Sequence, residues 1–196
     1  MAARKTMIVI ADTGPLLHLF WVDAVAWALP PEPIFVVEAF RREIVSYAPE
    51  ALNDARIRYV LTPVEVPDTL ASQNLDDGER AALAYALTLP VEDVLVLCDE
   101  LRGRRACRDL SLTVKGSVGL IIEAVQEGRA AKETARAALR NLPEQGRLYV
   151  SPKVIAQALA AIDAVQPKEY PDEGKDWTEE DVQHDLDWAM RQKLNP

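Results

Sequence analysis

Solid apolar runs alternate along this chain with stretches whose apolar positions recur every three or four residues. Residues 7–11 and 94–98 are unbroken apolar runs rich in Val, Ile and Leu, the pattern of strands buried on both faces of a parallel sheet. Ile34–Val37 and 112–115 predict two more short strands. An extended segment lies near 58–66, punctuated by Pro63 and Pro67. Helical spacing covers 14–28, stopped by Leu29, Pro30 and Pro31. It returns over Glu38–Tyr47, where Phe40, Ile44 and Tyr47 fall on one stripe. A short helix around 50–55 follows, then an Ala- and Leu-rich helix over 77–88, ended by Pro90. Further helices are expected over 101–110, from Gly116 and Ser117 through Gln126 with Gly128 just beyond, and at about 130–141 and 152–164. Alternation of this kind predicts an α/β fold with three layers, a central parallel sheet carrying helices on both faces.

The pattern changes at Gln166. Pro167, Pro171, Gly174 and many acids form a linker, and 176–193 reads as one amphipathic helix with Trp177, Val182, Leu186 and Met190 near one face and Trp188 beside it. The expected organisation is therefore a main domain over 1–165 and an acidic helical appendage over 166–196.

Both long apolar runs end in an aspartate, Asp12 and Asp99. An open parallel sheet places its ligand crevice outside the carboxyl ends of its strands, so both carboxylates would stand at that edge. Brought together they repel, and a divalent cation offsets the repulsion. Glu43, one position from the apolar stripe of its helix, and Glu79, in the first turn of the next long helix, are further candidates. Each acid also has a structural explanation. Asp12 would cap a helix beginning at Gly14, and Asp99 one beginning near Leu101. Asp76 and Glu79 have the spacing of a capping box, and Glu43 could be a solvated charge beside Arg41 and Arg42.

Composition narrows the chemistry. The two cysteines, Cys98 and Cys107, form no CxxC pair, and only two histidines exist, His18 and His184. Reduced thiols are expected rather than a disulfide, and a bound metal would have to be held by carboxylates, which points to Mg²⁺ or Mn²⁺. No apolar stretch approaches the roughly 20 residues that span a bilayer. The N-terminal apolar run is too short for a signal-peptide core, so a cytoplasmic protein away from membranes is expected. Net charge is −9, which argues against nucleic acid until its distribution is considered. Residues 165–196 hold nine acids and four bases, and the rest of the chain 22 acids and 18 bases. Against that background Arg102, Arg104, Arg105 and Arg108 cluster directly after Asp99, either as contacts for RNA phosphates or as a solvated helix face.

Four segments occur in order: ADTGPLLHLF (11–20), VVEAFRREIV (36–45), LDDGERAALAYAL (75–87) and VLCDELRGRRACRDLSLTVKGSVGL (96–120). Together, over about residues 7–160, they resemble the PIN domain family, in particular the VapC-like toxin branch that opens with DTGPL. The resemblance implies a metal-dependent ribonuclease whose acids are Asp12, Glu43, Glu79 and Asp99, with Thr13 and Ser117 as accompanying hydroxyls. Asp12 and Asp99 would bind Mg²⁺ or Mn²⁺ directly, while Glu43 and Glu79 bind a second ion or orient water. Glu38 competes with Glu43 for the second acidic position, and Cys98 stands where many relatives carry a hydroxyl. The acidic tail has no counterpart in the pattern.

The resemblance also implies an RNA substrate, an antitoxin partner and a homodimer. Rival readings are an RNA- or partner-binding module on a decayed PIN fold, or a metal-dependent phosphatase or 5′-nuclease. The latter lacks a DxD signature, and a dinucleotide-binding protein lacks its Gly-rich loop. Trp21 and Trp27 are expected in packing roles, His18 at the core edge and Cys107 buried.

Overall fold

Five parallel strands make one sheet in the order β3-β2-β1-β4-β5 in the computed structural model, which describes residues 7–71 and 74–166. The strands are β1 (Ile8–Ala11), β2 (Ile34–Val37), β3 (Ile57–Val60), β4 (Val94–Leu97) and β5 (Thr113–Lys115). The two apolar runs that end in aspartate are neighbours at the centre, with Ile8 paired to Val94 and Ala11 to Leu97. Every residue of β4 is buried, as a strand covered on both faces requires. The edge strands β3 and β5 expose residues to water.

The helices are α1 (Thr13–Trp21), α2 (Val25–Ala28), α3 (Glu38–Tyr47), α4 (Asp68–Ala71), α5 (Asp77–Leu87), α6 (Leu101–Asp109), α7 (Ser117–Gln126), α8 (Lys132–Asn141) and α9 (Pro152–Ala164). The chain steps from β1 to β2 to β3 in one direction along the sheet, then from β4 to β5 in the other. Right-handed crossovers therefore put α1–α3 and α5–α6 on opposite faces, giving the three-layer α/β/α arrangement. Helix α7 packs on α1 and α2, with α8 and α9 against it. A continuous core runs through the sheet, with Ile10, Leu16, Leu97, Leu120 and Leu139 among its fully buried members.

Three elements differ from the sequence expectation. The helix expected over 14–28 is two, because Asp23 adopts a left-handed φ of 55°, a conformation Asp tolerates better than most residues. The Ala24 N–H then bonds Leu19 O, and the redirected chain buries Ala24, Ala28 and Leu29 as well as Leu16, Leu17 and Leu19. The extended segment pairs only over Ile57–Val60, since Pro63 and Pro67 lack the N–H that a ladder needs, and the short α4 follows unannounced. The helix expected around 50–55 is a 3-10 turn, Pro49–Leu52. The anticipated appendage lies outside the described residues beyond Gln166. Among the described residues no helix is long and apolar enough to cross a membrane.

Candidate active site

Strand order reverses between β1 and β4, and an open α/β sheet leaves its ligand crevice at such a switch point. The Asp12 N–H donates to Leu97 O at 2.9 Å, tying the ends of these two strands together. A cleft of about 360 Å³ opens beside them. Six acids line it, Asp12, Glu43, Asp76, Glu79, Asp99 and Glu100, and its other walls include His18, Trp21, Tyr47 and Arg147. The four acids singled out in the sequence thus come from four separate elements to one place.

Asp12 caps α1, its Oδ1 accepting the Thr13 N–H at 2.6 Å. Its Oδ2 accepts the Cys98 thiol at 3.4 Å, so the cysteine that departs from the family pattern contacts this acid. Burial pushes the Asp12 carboxyl up to about 7 against those two hydrogen bonds, with Glu79 and Asp76 adding repulsion. The buried Thr13 hydroxyl donates to Glu43 Oε2 at 2.7 Å and links α1 to α3. Glu38 lies apart from the cleft, bonded to Arg41 and Arg42 on its own helix.

Asp99 caps α7 rather than α6, which corrects the sequence expectation. Its Oδ1 accepts the Ser117 N–H at 2.8 Å, and its Oδ2 accepts the fully buried Ser117 hydroxyl at 2.6 Å. His18 Nδ1 lies 2.7 Å from the same Oδ2. The reach is possible because residue 116 is glycine: a Cβ there would stand 2.5 Å from Asp99 Oδ1. Glu100 occupies the cap position of α6 without a capping bond and pairs with Arg102.

Asp76 and Glu79 form the reciprocal capping box at the start of α5 while also lining the cleft, so the capping role keeps Glu79 at the cleft. Glu79 Oε2 accepts the Asp76 N–H, and Oε1 is buried with no hydrogen-bond partner among the described residues. Burial raises this carboxyl too, the largest of several influences.

None of the four arginines lines the acid cleft, and only Arg102 reaches its edge, through its pair with Glu100. Arg104 donates to Cys98 O at 3.2 Å and borders a neighbouring groove, and Arg102, Arg105 and Arg108 are exposed. The cation in the cleft wall is Arg147, its guanidinium 4.8 Å from the Trp21 ring centroid. Sequence reasoning missed it, and placed His18 at the core edge and Trp21 in a packing role. Only the i,i+4 spacing of Gly14 and His18 on the helix after Asp12 could have signalled the histidine. Trp27 keeps a structural role, its Nε1–H donating to Asp23 O, and Cys107 is buried as expected.

The donor set suits a hard divalent ion. Asp12, Glu43, Glu79 and Asp99 have no Lys or Arg ion pair among the described residues, and the buried Glu79 Oε1 has no hydrogen-bond partner among them. Among the described residues no three His, Cys, Asp or Glu side chains form a cage for a metal. Mg²⁺ does not need one, since it is commonly held by one or two carboxylates with waters and substrate phosphates completing its shell.

Neither the curated proteins nor the solved structures contain a match to this chain. Residues 8–164 match the family model DUF3368, a PIN domain. PIN domains are generally nucleases and typically use divalent metal ions. With the parallel sheet and the acid cleft at its switch point, this match shows that the chain belongs to the PIN domain family.

Proposed function

We propose that this protein is an endoribonuclease dependent on Mg²⁺ or Mn²⁺, hydrolysing RNA phosphodiester bonds in the cleft between β1 and β4. One observation carries the reading: Asp12, Glu43, Glu79 and Asp99 line a single cleft at the switch point, with no Lys or Arg paired to any of them among the described residues and only His18 bonded to Asp99. Asp12 and Asp99 would hold the ion, and Glu79 and Glu43 a second ion or the attacking water. A bound divalent ion favours water attack and neutralises charge on the phosphate. The chain's own residues set the geometry. Thr13 fixes Glu43, Ser117 and His18 fix Asp99, and the Cys98 thiol and Thr13 N–H orient Asp12.

RNA cleavage with Mg²⁺, Mn²⁺ or EDTA, comparing wild type with Asp12→Asn and Asp99→Asn, is the test. Wild type should cleave with either ion and stop in EDTA, and each variant should lose most turnover. Equal cleavage by all three proteins would reject the catalytic assignment, and no cleavage by any of them would favour a binding module on the same fold.

The DTGPL opening supports a further step: a homodimeric toxin of a toxin–antitoxin pair, acting on cytoplasmic RNA and held in check by an antitoxin protein. Induced expression should then arrest growth of a host cell, and Asp12→Asn should relieve the arrest. Arrest that persists with Asp12→Asn counts against it.

A further inference from the structure

Arg147 is the single Lys or Arg among the residues lining the acid cleft, and it forms no ion pair among the described residues. A cation that stands among six carboxylates and pairs with none is available to an incoming anion. Its contact is instead the face of Trp21, an arrangement suited to the planar guanidinium.

The turn that carries Arg147, between α8 and α9, is pinned. Gly146 N–H bonds Asn141 O at 3.0 Å, Leu148 N–H bonds Leu142 O at 2.9 Å, and the Leu148 side chain is buried. Gly146 passes so close to the helix end that a Cβ would stand 2.8 Å from Leu142 O. Arg147 itself has a left-handed φ of 54°, a strained conformation of the kind that gathers at functional sites. Two residues on, Tyr149 is fully exposed and lines a second groove of about 450 Å³ with Arg104 and Val154. Asp99 lines both cavities. One segment, held at Gly146 and Leu148, therefore borders two adjoining clefts; Arg147 and Trp21 line the first, and Arg104, Lys115 and Tyr149 the second.

We propose that the turn over 146–150 is an arm that seats a single-stranded RNA across Asp99. Arg147, steadied on Trp21, takes a backbone phosphate in the acid cleft, and Tyr149 stacks an unpaired base in the adjoining groove. The inference rests on the nuclease reading for what lies at Asp99. Carboxylates repel a polyanion, so a strand entering this cleft needs a local cation the acids have not neutralised. A base on an aromatic face must be unpaired, which selects single strands over duplex.

Anisotropy of a labelled single-stranded RNA, measured in EDTA and again with Ca²⁺, tests the arm on the full chain. Arg147→Gly relieves the left-handed strain and so keeps the fold. It should weaken binding about tenfold and flatten the slope of log affinity against log salt by about 0.7. Tyr149→Ala, at an exposed position, should also weaken binding about tenfold but leave the slope unchanged. Arg140→Ala, exposed on α8, is the control. Losses within twofold of that control for both variants overturn the proposal, as does wild type that binds no RNA in either buffer or a duplex equally sensitive to Tyr149→Ala. RNA that binds through Arg147 and Tyr149 yet is never cleaved with Mg²⁺ or Mn²⁺ sinks the nuclease reading alone. Cleavage with binding indifferent to both side chains sinks the arm alone.

Discussion

His18 Nδ1 lies 2.7 Å from Asp99 Oδ2, joining α1 to the end of β4 across 81 positions of sequence. With Asp99 ionised, an Nδ1–H donates to it, and the Ser117 hydroxyl donates to the same oxygen. Groups that orient a metal-binding carboxylate commonly govern 10- to 100-fold in affinity or activity. His18→Ala should therefore lower kcat by about tenfold or more with little change in KM, and calorimetry should show Mn²⁺ binding weakened in parallel. His18→Asn returns an N–H donor to the region and should recover part of both. Unchanged Mn²⁺ affinity in His18→Ala would reduce His18 to a packing residue.

Asp12 gives the metal-free protein a pH signature. Its carboxyl is pushed from an ordinary 3.8 up to about 7, chiefly by burial. The folded chain keeps a proton there that the unfolded chain has released, so this group's contribution is most favourable below about pH 4. It is lost as pH rises to about 7, by up to about 4 kcal/mol. Burial raises Glu79 in the same direction. The difference in Tm between wild type and Asp12→Asn in EDTA isolates the effect. Asp12→Asn should gain on wild type as pH rises from 4 to 7, and added Mg²⁺ or Mn²⁺ should restore wild type. A difference that stays flat over that range would contradict the burial of this charge.

Glu38 and Glu43 separate by their partners. Glu38 bonds Arg41 at 2.7 Å and Arg42 at 3.1 Å, and the Arg41 bond is the chief reason its carboxyl is held down at about 2. Glu43 instead accepts the Thr13 hydroxyl at the cleft. Glu43→Gln should cost at least tenfold in RNA cleavage, whereas Glu38→Gln should stay within twofold of wild type. The reverse order in a side-by-side assay would move the second acidic position to Glu38.

The parts of this molecule legible in its sequence are those governed by local pattern. The runs ending at Asp12 and Asp99 announce central parallel strands because burial on both faces leaves no polar position in them. The Asp76 and Glu79 spacing announces its capping box because that motif closes within one turn. What stayed hidden depends on contacts distant in sequence. Asp99 caps α7 only because β4 and the start of α7 meet at the sheet edge, and the local cap position before α6 gave the wrong partner. Arg147 reaches Trp21 across most of the chain, through a turn whose residues carry no chemical signature. The arginines after Asp99 looked basic as a group, yet helical geometry sends Arg104 to Cys98 O and leaves Arg105 and Arg108 in solvent.

Gly116 is where a single methyl group should separate function from folding. Its backbone, φ −110° and ψ 175°, lies in a region open to any residue, so Gly116→Ala carries no conformational strain. The added Cβ would stand 2.5 Å from Asp99 Oδ1 and 2.6 Å from Arg104 Nη1. Arg104 is long enough to swing aside. Asp99 can move only by giving up the Ser117 N–H, which leaves the first turn of α7 without its cap at a cost of about 1 kcal/mol. Gly119, two residues into the same helix, is the contrasting position, since a Cβ there meets nothing within 4 Å. Gly119→Ala should raise Tm slightly through helix propensity. Gly116→Ala should lower it by a few degrees while cutting cleavage by tenfold or more, because the carboxylate it displaces is the one held by Ser117 and His18. Thermal melts and cleavage rates on these two variants decide the point, and full activity in Gly116→Ala would show that the observed Asp99 position is not the working one.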